Sequence, residues 1–197
     1  MAEQASFEAL EELMMRQRAG RLFDSREVED SLIERILGMA TRAPSARNAQ
    51  TWRFIVIRDT ETKARLGSVF DELGSQMYGQ GAPTRTPWAE VPVLIAVCSE
   101  YAFGEDESGR MALGASIYPA VQNLLLAARA LGLGAVITTQ HFFVPGEFEA
   151  VLGLPRGTRL AALVPIGYPR GRFGPVTRPP VEDVVSWQRC GAPRAAR

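Results

Sequence analysis

One segment of the chain, residues 92–98, is apolar throughout and constrains the fold more than any other. Its sequence, Pro-Val-Leu-Ile-Ala-Val-Cys, shows no alternation between apolar and polar residues. A strand with one face in water alternates, whereas a strand that is covered on both faces does not. We therefore expect residues 92–98 to form a strand in the centre of a sheet.

Several other stretches have the spacing of apolar residues that one face of a helix requires. These predicted helices cover residues 7–18, about 29–42, 62–78, 118–131 and about 145–152. The segment 118–131 is apolar on nearly all sides, which predicts burial either in the core or at a subunit interface. Pro119 should bend this helix or mark its first turn.

Further strands are expected at 53–58, 135–139 and 160–168. Helices and strands alternate along the chain, and this order by itself is typical of a parallel α/β sheet. From residue 169 the chain is rich in proline and glycine, which predicts an extended tail with at most a short helix at 181–187. Since no repeat or change of composition occurs, residues 1–197 are expected to form a single domain with a tail from about 169.

Composition argues against several classes of function. Among 197 residues, 22 Lys and Arg balance 22 Asp and Glu, and no run of five like charges occurs, so nucleic acid is not an expected partner. Two cysteines, Cys98 and Cys190, are too few for a disulfide framework, and the N-terminal residues lack the apolar run of a secretory leader. Apolar stretches such as 92–98 fall short of the roughly 20 residues that span a bilayer. We expect a cytoplasmic protein without a membrane partner.

The chain lacks the signatures of several catalytic centres. It contains no GxxxxGK[ST] loop, no GxGxxG after a strand and no GxSxG elbow. Its single histidine, His141, excludes a multi-histidine metal site, and a lone histidine after a strand is more often packed or solvated than catalytic. We expect no metal site. The arginines, amides and hydroxyls that remain favour chemistry performed by a bound cofactor.

Residues 43–52, Ala-Pro-Ser-Ala-Arg-Asn-Ala-Gln-Thr-Trp, join a predicted helix to a predicted strand and are unusually polar for such a connection. Pro44 should end the helix, because the residue before a proline disfavours the helical conformation. Ser45, Asn48 and Gln50 then supply several donors and acceptors at one place, which suits a heterocycle with alternating carbonyl and imide groups. The alternative is a capped loop whose polar groups bond one another.

Four segments, taken in order, resemble the FMN-dependent nitroreductase family. Residues 18–23 (RAGRLF) are similar to its RxxR-x-F element after the first helix, and residues 43–52 to its APSxxNxQPW signature. Residues 122–134 look like its QNLLLAA…GLG helix end, and residues 165–169 with Arg178-Pro179 look like its closing PIGYP…RxP segment. The match spans nearly the whole chain, and the second and third segments are the most specific.

The resemblance implies an α+β fold, a three-layer sandwich whose central sheet is largely antiparallel and flanked by helices, in an intertwined homodimer. It implies FMN as cofactor, NADH or NADPH as reductant, and a small electrophilic acceptor such as a nitroaromatic, a quinone or an enone, reduced in a ping-pong cycle. Because flavin N5 carries the hydride, no side chain needs to act as acid or base. We follow this fold rather than the parallel sheet that the order of elements favours.

The resemblance also assigns cofactor contacts to residues of this chain. Arg21 would support the reduced flavin electrostatically, Arg18 would contact the phosphate or ribityl chain, and Arg178 would add a second cation at the phosphate. Pro44, Ser45 and Asn48 would approach an FMN held mainly by the other subunit, so that the FMN sites lie at the homodimer interface. The backbone of 137–139 would pass flavin N5. The expected set is Arg18, Ala19, Arg21, Pro44, Ser45, Ala46, Asn48, Gln50, Ile137, Thr138, Thr139 and Arg178.

Two departures from the family pattern affect the expected cofactor affinity. Ala19 replaces a serine, which removes a hydroxyl contact, and Thr51 replaces the proline before Trp52, which removes some rigidity. Trp88 and Tyr78, in or near the loop 79–90, either stack over the substrate or are ordinary core and surface aromatics. A specialised enzyme of the same fold, such as a reductive dehalogenase or a flavin-fragmenting enzyme, and a non-catalytic flavin-binding protein stay open as alternatives.

Overall fold

The computed structural model describes residues 2–79, 84–171 and 173–192 of the chain. Two helices come first, strands and helices then alternate, and short 3-10 turns connect several of them. The helices are α1 (Ala2–Arg16), α2 (Asp30–Ala40), α3 (Thr60–Tyr78), α4 (Glu107–Ala130) and α5 (Pro145–Leu152). The strands are β1 (Trp52–Ile57), β2 (Val93–Glu100), β3 (Gly134–Ala135) and β4 (Thr158–Gly167).

The strands form an antiparallel sheet in the order β1-β2-β4-β3. In the β1 and β2 ladder, Trp52 pairs with Ser99 and Ile57 pairs with Leu94. The α+β architecture implied by the family resemblance is therefore confirmed, and the parallel sheet favoured by the order of elements is wrong. A long connection can return the chain to either end of a sheet, so the alternation of helix and strand does not fix strand direction.

The expectation that the apolar segment 92–98 is a central strand is confirmed. Every residue from 93 to 99 is buried, and β2 lies between β1 and β4. Its odd-numbered residues from Val93 to Val97 pack in one apolar cluster with α2 and α4. Its even-numbered residues from Leu94 to Cys98 pack in a second cluster with α3 and α5. The sheet is thus the middle layer of three.

Helix α4 begins well before the predicted start at residue 118, at Glu107. The carboxylate of Asp106 accepts a hydrogen bond from the Gly109 N–H at 2.8 Å and caps the first turn. Pro119 consequently lies inside the helix, and its placement in the first turn is wrong. Helix α4 is long and apolar enough to cross a membrane, as the core helix of a domain can also be. Here it packs against α2 and the sheet.

Three other boundaries differ from the sequence expectation. Helix α1 starts at Ala2 rather than near residue 7, and β3 is restricted to Gly134–Ala135, with one further bridge between Thr138 and Leu163. The predicted helix at 181–187 is a single 3-10 turn over Val181–Asp183. Among the described residues after Pro180 the structure has no other helix and no strand, and the Ala192 N–H closes a further turn by donating to the Arg189 carbonyl at 3.0 Å.

His141 is packed in the core and is 2% exposed. Its Nε2 lies 2.8 Å from the Leu160 carbonyl oxygen and donates to it, while Nδ1 has no partner among the described residues. The rings of Phe142 and Phe148 lie against it, at centroid distances of 4.4 and 6.1 Å. Burial lowers the pKa of His141 from 6.5 to about 4, so the imidazole is neutral at physiological pH.

We predict that His141 contributes to acid sensitivity. In the unfolded chain the imidazole takes a proton near pH 6.5, whereas in the folded chain its pKa is about 4. The stability contributed by the neutral ring is therefore fully present above pH 6.5 and is lost as the pH falls towards 4. As the chain has one histidine, its proton NMR signal is unique, and it should not titrate between pH 7 and 5 in the folded protein. A folded-state midpoint near 6.5 would contradict this assignment.

We predict opposite effects of the same substitution at two helical glycines. In Gly109→Ala the new Cβ would overlap the Gly104 carbonyl oxygen, and overpacking of this kind lowers the free energy of unfolding by about 2 kcal/mol. In Gly38→Ala the Cβ meets no atom within 4 Å, and alanine favours a helix interior by about 1 kcal/mol. Thermal unfolding should show a lowered midpoint for the first variant and a raised one for the second. Equal midpoints would refute the close approach at Gly109.

Candidate functional site

A cleft of about 530 Å³, here called the basic cleft, opens between the segment after α1, helix α4 and the tail. Three arginines line it: Arg18 and Arg21 from the segment after α1, and Arg178 from the tail. None of the three forms an ion pair with a carboxylate within the part of the chain that the structure describes. The remaining lining residues are Gln17, Ala19, Gln122, Leu125, Val136, Ile137, Val176 and Thr177.

Backbone contacts hold this cleft in place. The Gly20 N–H donates to the Ala135 carbonyl at 3.0 Å, which fixes the segment 18–21 against β3. A Cβ at Gly20 would lie 2.8 Å from the ring of Phe173 and 3.2 Å from the Gly134 Cα, so only glycine permits this approach. On the other side, the Val176 N–H donates to the Met15 carbonyl at 3.1 Å and ties the tail to the end of α1.

The donor set of the basic cleft fits a phosphate-bearing cofactor. Guanidinium groups bind phosphate through charge-assisted hydrogen bonds, and those of Arg18, Arg21 and Arg178 are not committed to a described carboxylate. The amides of Gln17 and Gln122 add neutral donors and acceptors on the same walls. Such a set suits the phosphate and the polyol chain of a flavin mononucleotide.

A second cleft of about 250 Å³, here called the α3 cleft, adjoins the first. Arg21, Val136 and Ile137 line both clefts and so form their common wall. The expected residues Thr138 and Thr139 lie here as well. The other lining residues are Phe70, Asp71, Gly74, Ser75, Tyr78, Arg85 and Gln140.

The structure shows which main-chain N–H groups of residues 137–139 are free to donate a hydrogen bond to a ligand. The N–H of Thr138 donates to the Leu163 carbonyl at 3.0 Å, and its hydroxyl donates to the same oxygen at 2.8 Å. Thr138 therefore has no spare donor for a ligand. Of the three positions expected beside a cofactor, Ile137 and Thr139 are the ones whose N–H has no bonding partner among the described residues.

The two aromatic residues at the loop 79–90 have different environments. Trp88 is 2% exposed and lies behind the α3 cleft, with its ring 4.3 Å from that of Phe70. It is a core residue and is unable to stack over a molecule in the cleft. Tyr78 is 49% exposed and lines the cleft directly. Residues 80–83 of this loop lie outside the described residues.

The polar junction 44–50 lies apart from both clefts, since none of its residues lines either of them. Its first turn is anchored to α4, where the Ala46 N–H donates to Ser116 Oγ at 3.0 Å. The Gln50 N–H donates to Ser45 Oγ at 3.1 Å, and the Gln50 side-chain amide donates to the Asn48 carbonyl at 3.3 Å. The junction thus has the internal bonds of a capped loop, while the side chains of Asn48 and Gln50 stay exposed.

The backbone of this junction is strained. Arg47, Asn48 and Gln50 have φ angles of 53°, 55° and 51°, in the left-handed region that non-glycine residues rarely adopt. Such strain costs of order 1–3 kcal/mol at each residue and concentrates at binding and catalytic sites. The sequence motif gives no sign of it, because no glycine occurs between residues 39 and 66.

The expected cofactor residues therefore separate into two groups in a single chain. Arg18, Ala19, Arg21, Ile137 and Arg178 meet in the basic cleft, with Thr138 and Thr139 next to them, and residues 44–50 lie elsewhere. Arg85 and Asp71 also line the α3 cleft, and the sequence did not predict them because neither lies in a recognisable motif. Sequence reasoning also missed Gln122 as a lining residue, although the glutamine-asparagine pair of the resemblance pointed to that helix.

Comparison with known proteins identifies the family of this chain. Residues 14–168 match the sequence profile of the nitroreductase family. A protein named NADH dehydrogenase from Thermus thermophilus is 31% identical over 201 residues, covering 88% of this chain and 93% of that protein. These matches and their names support an oxidoreductase.

Solved structures show the same fold. The crystal structure of iodotyrosine deiodinase bound to FMN and 3-iodo-L-tyrosine has a TM-score of 0.71 at 26% identity, covering 87% of this chain and 95% of that one. A BluB-like flavoprotein from Clostridium difficile has a TM-score of 0.76 at 22% identity, covering 91% and 99% of the two chains. Since the profile match covers most of the sequence and the three-layer fold agrees, the chain belongs to the nitroreductase family.

Proposed function

We propose that this protein is an FMN-dependent NAD(P)H oxidoreductase that reduces a small electrophilic acceptor, such as a nitroaromatic, a quinone or an enone. The observation that carries the proposal is the meeting of Arg18, Arg21 and Arg178 in one cleft that continues past Ile137 into another. The first cleft suits a phosphate and a polyol chain. The second leaves a volume of about 250 Å³ beside it, enough for a small acceptor.

Different residues of the basic cleft would bind different parts of the cofactor. Arg18 and Arg178 would hold the phosphate, while Ala19 offers no hydroxyl there. Arg21, in the common wall of the two clefts, would place a cation beside the isoalloxazine and favour negative charge on it. The N–H of Ile137 or Thr139 would donate to N5. When bound, FMN would supply the hydride and electron chemistry that the side chains lack.

The second group of expected residues supports a homodimer with FMN sites at the subunit interface. Pro44, Ser45, Ala46, Asn48 and Gln50 line neither cleft of their own chain, which is consistent with contact to a cofactor in a partner subunit. Several large apolar side chains are also more than 60% exposed in the single chain. These are Phe7, Met111, Phe143, Val181 and Val184. Exposed apolar groups of this number suit burial against a second copy.

A reductive dehalogenase is a second candidate, favoured by the likeness to iodotyrosine deiodinase at 26% identity. Turnover of 3-iodo-L-tyrosine compared with a nitroaromatic at equal concentration would separate the two activities. A cytoplasmic location, and function without a nucleic acid or membrane partner, stay predictions from composition.

We predict that the purified protein binds FMN and that NADH or NADPH bleaches its flavin absorbance under anaerobic stopped-flow mixing. Addition of a nitroaromatic or a quinone should then restore the oxidised spectrum. Failure of both nucleotides to bleach bound flavin would favour a flavin-binding protein without turnover. A protein that stays colourless after titration with FMN would contradict the flavin site itself.

We predict that Asn48→Gly weakens FMN binding about tenfold, the loss of one hydrogen bond to a ligand. Glycine accepts the left-handed backbone at this position (φ 55°), so the variant removes the amide group without adding strain. Quenching of flavin fluorescence measures the affinity, and Ala49→Gly in the same loop is the matched control. Wild-type affinity in Asn48→Gly would favour the capped-loop interpretation of the junction.

A further inference from the structure

Arg85 is a cation of the α3 cleft whose position is fixed on several sides. Its guanidinium forms an ion pair with Asp71 and donates through Nη1 to the Thr86 carbonyl at 3.2 Å. The guanidinium carbon also lies 4.8 Å from the ring centre of Phe70 and 5.6 Å from that of Trp88. A guanidinium held in this way loses little rotamer freedom when it binds a ligand.

The backbone places Arg85 close to the common wall of the two clefts. The Thr86 N–H donates to the Arg21 carbonyl at 2.8 Å, and the Phe23 N–H donates to Thr86 Oγ1 at 2.9 Å. Thr86, the neighbour of Arg85 in the chain, is therefore bonded to the same segment that carries Arg21. Arg21 and Arg85 both line the α3 cleft, which therefore has two cationic residues in its wall.

The charges that line the α3 cleft do not cancel. Arg21 and Arg85 contribute two positive charges, and Asp71 contributes one negative charge. The Asp71 side chain is 65% exposed, so water screens its attraction for Arg85, whose own side chain is 16% exposed. Of the five N–H donors of the Arg85 guanidinium, the described residues occupy two. Even with Arg21 facing the cofactor, Arg85 therefore has donors left for an anion.

Apolar side chains on the other walls of the α3 cleft indicate the kind of group to which the anion of the ligand is attached. Phe70 and Tyr78 of α3 and Val136 and Ile137 of the opposite segment line the same cavity. An aromatic ring fits between such groups.

We propose that the α3 cleft selects aromatic acceptors that carry a carboxylate, and that Arg85 is the residue that recognises it. This inference rests on the proposed function, because it names the class of acceptor for the same cleft. Asp71 orients Arg85 and at the same time competes with the ligand for it. Removing either charge should therefore change the preference for an anionic acceptor, in opposite directions.

The test compares 4-nitrobenzoate with 4-nitrobenzamide, which have the same shape and differ in charge. Isothermal titration calorimetry on the FMN-loaded protein gives the two dissociation constants, and NAD(P)H consumption gives the two values of kcat/KM. The preference is the kcat/KM for the benzoate divided by that for the benzamide or, from calorimetry, the dissociation constant of the benzamide divided by that of the benzoate. Arg85→Gln should lower this ratio about tenfold, the effect of one charged hydrogen bond, and Asp71→Asn should raise it severalfold. Arg65→Gln, an exposed position of α3 outside the cleft, should leave it unchanged.

The outcomes separate this inference from the function on which it rests. An unchanged ratio in Arg85→Gln, with both compounds still reduced, overturns the carboxylate site and leaves the oxidoreductase standing. A calorimetric preference that depends on Arg85, without NAD(P)H consumption, supports the carboxylate site and contradicts the oxidoreductase.

A purely structural role of the ion pair gives a different pattern. If the pair only tied residues 84–86 to α3, both variants would weaken both compounds alike, and that result overturns the inference. If circular dichroism shows that Arg85→Gln does not fold, the Asp71→Asn variant alone tests the carboxylate site. A raised ratio in that variant supports the carboxylate site, and an unchanged or lowered ratio overturns it.

Discussion

The burial of β2 on both faces is the constraint on which the rest of the structure depends. A strand without a solvated face needs a strand on each side and a layer of helices above and below it. Here β1 and β4 flank it, α2 and α4 cover one face, and α3 and α5 cover the other. The two clefts follow from this layering, because each is bounded by one of the covering helices and by the segment that leaves β3 at Val136.

This fold concentrates positive charge in the basic cleft although the chain as a whole is neutral. Formal charges sum to zero over the sequence, yet three arginines meet in the basic cleft without a described carboxylate to pair with them. Two of them come from the segment after α1, which the Gly20 to Ala135 hydrogen bond ties to β3, and one comes from the tail, which the Val176 to Met15 hydrogen bond ties to α1. Net charge thus says little about the field at a site, since that field depends on which segments the sheet brings together.

Local patterns in the sequence predicted the central strand and most of the helices, and the resemblance predicted the three layers, the strand directions and the arginines. The extent of α4 was missed because Pro119 suggested a boundary, whereas the Asp106 cap and the surrounding core keep the helix intact on both sides of it. Arg85 was missed because its role depends on Phe70, Asp71 and Trp88, which only the folded chain places around it. The strain at Arg47, Asn48 and Gln50 was likewise invisible, since residue types there do not require it.

The hydrogen bond between Ala46 and Ser116 has a consequence for how the protein can vary. Ser116 holds the junction 44–50, and Gln122, six residues further along α4, lines the basic cleft. A helix rises 1.5 Å per residue, so about 9 Å of rigid helix sets the spacing between these two regions. An insertion of one residue between them would turn one region by about 100° relative to the other. This part of α4 can therefore accept substitutions during evolution, whereas an insertion or a deletion would disturb the two regions that it connects.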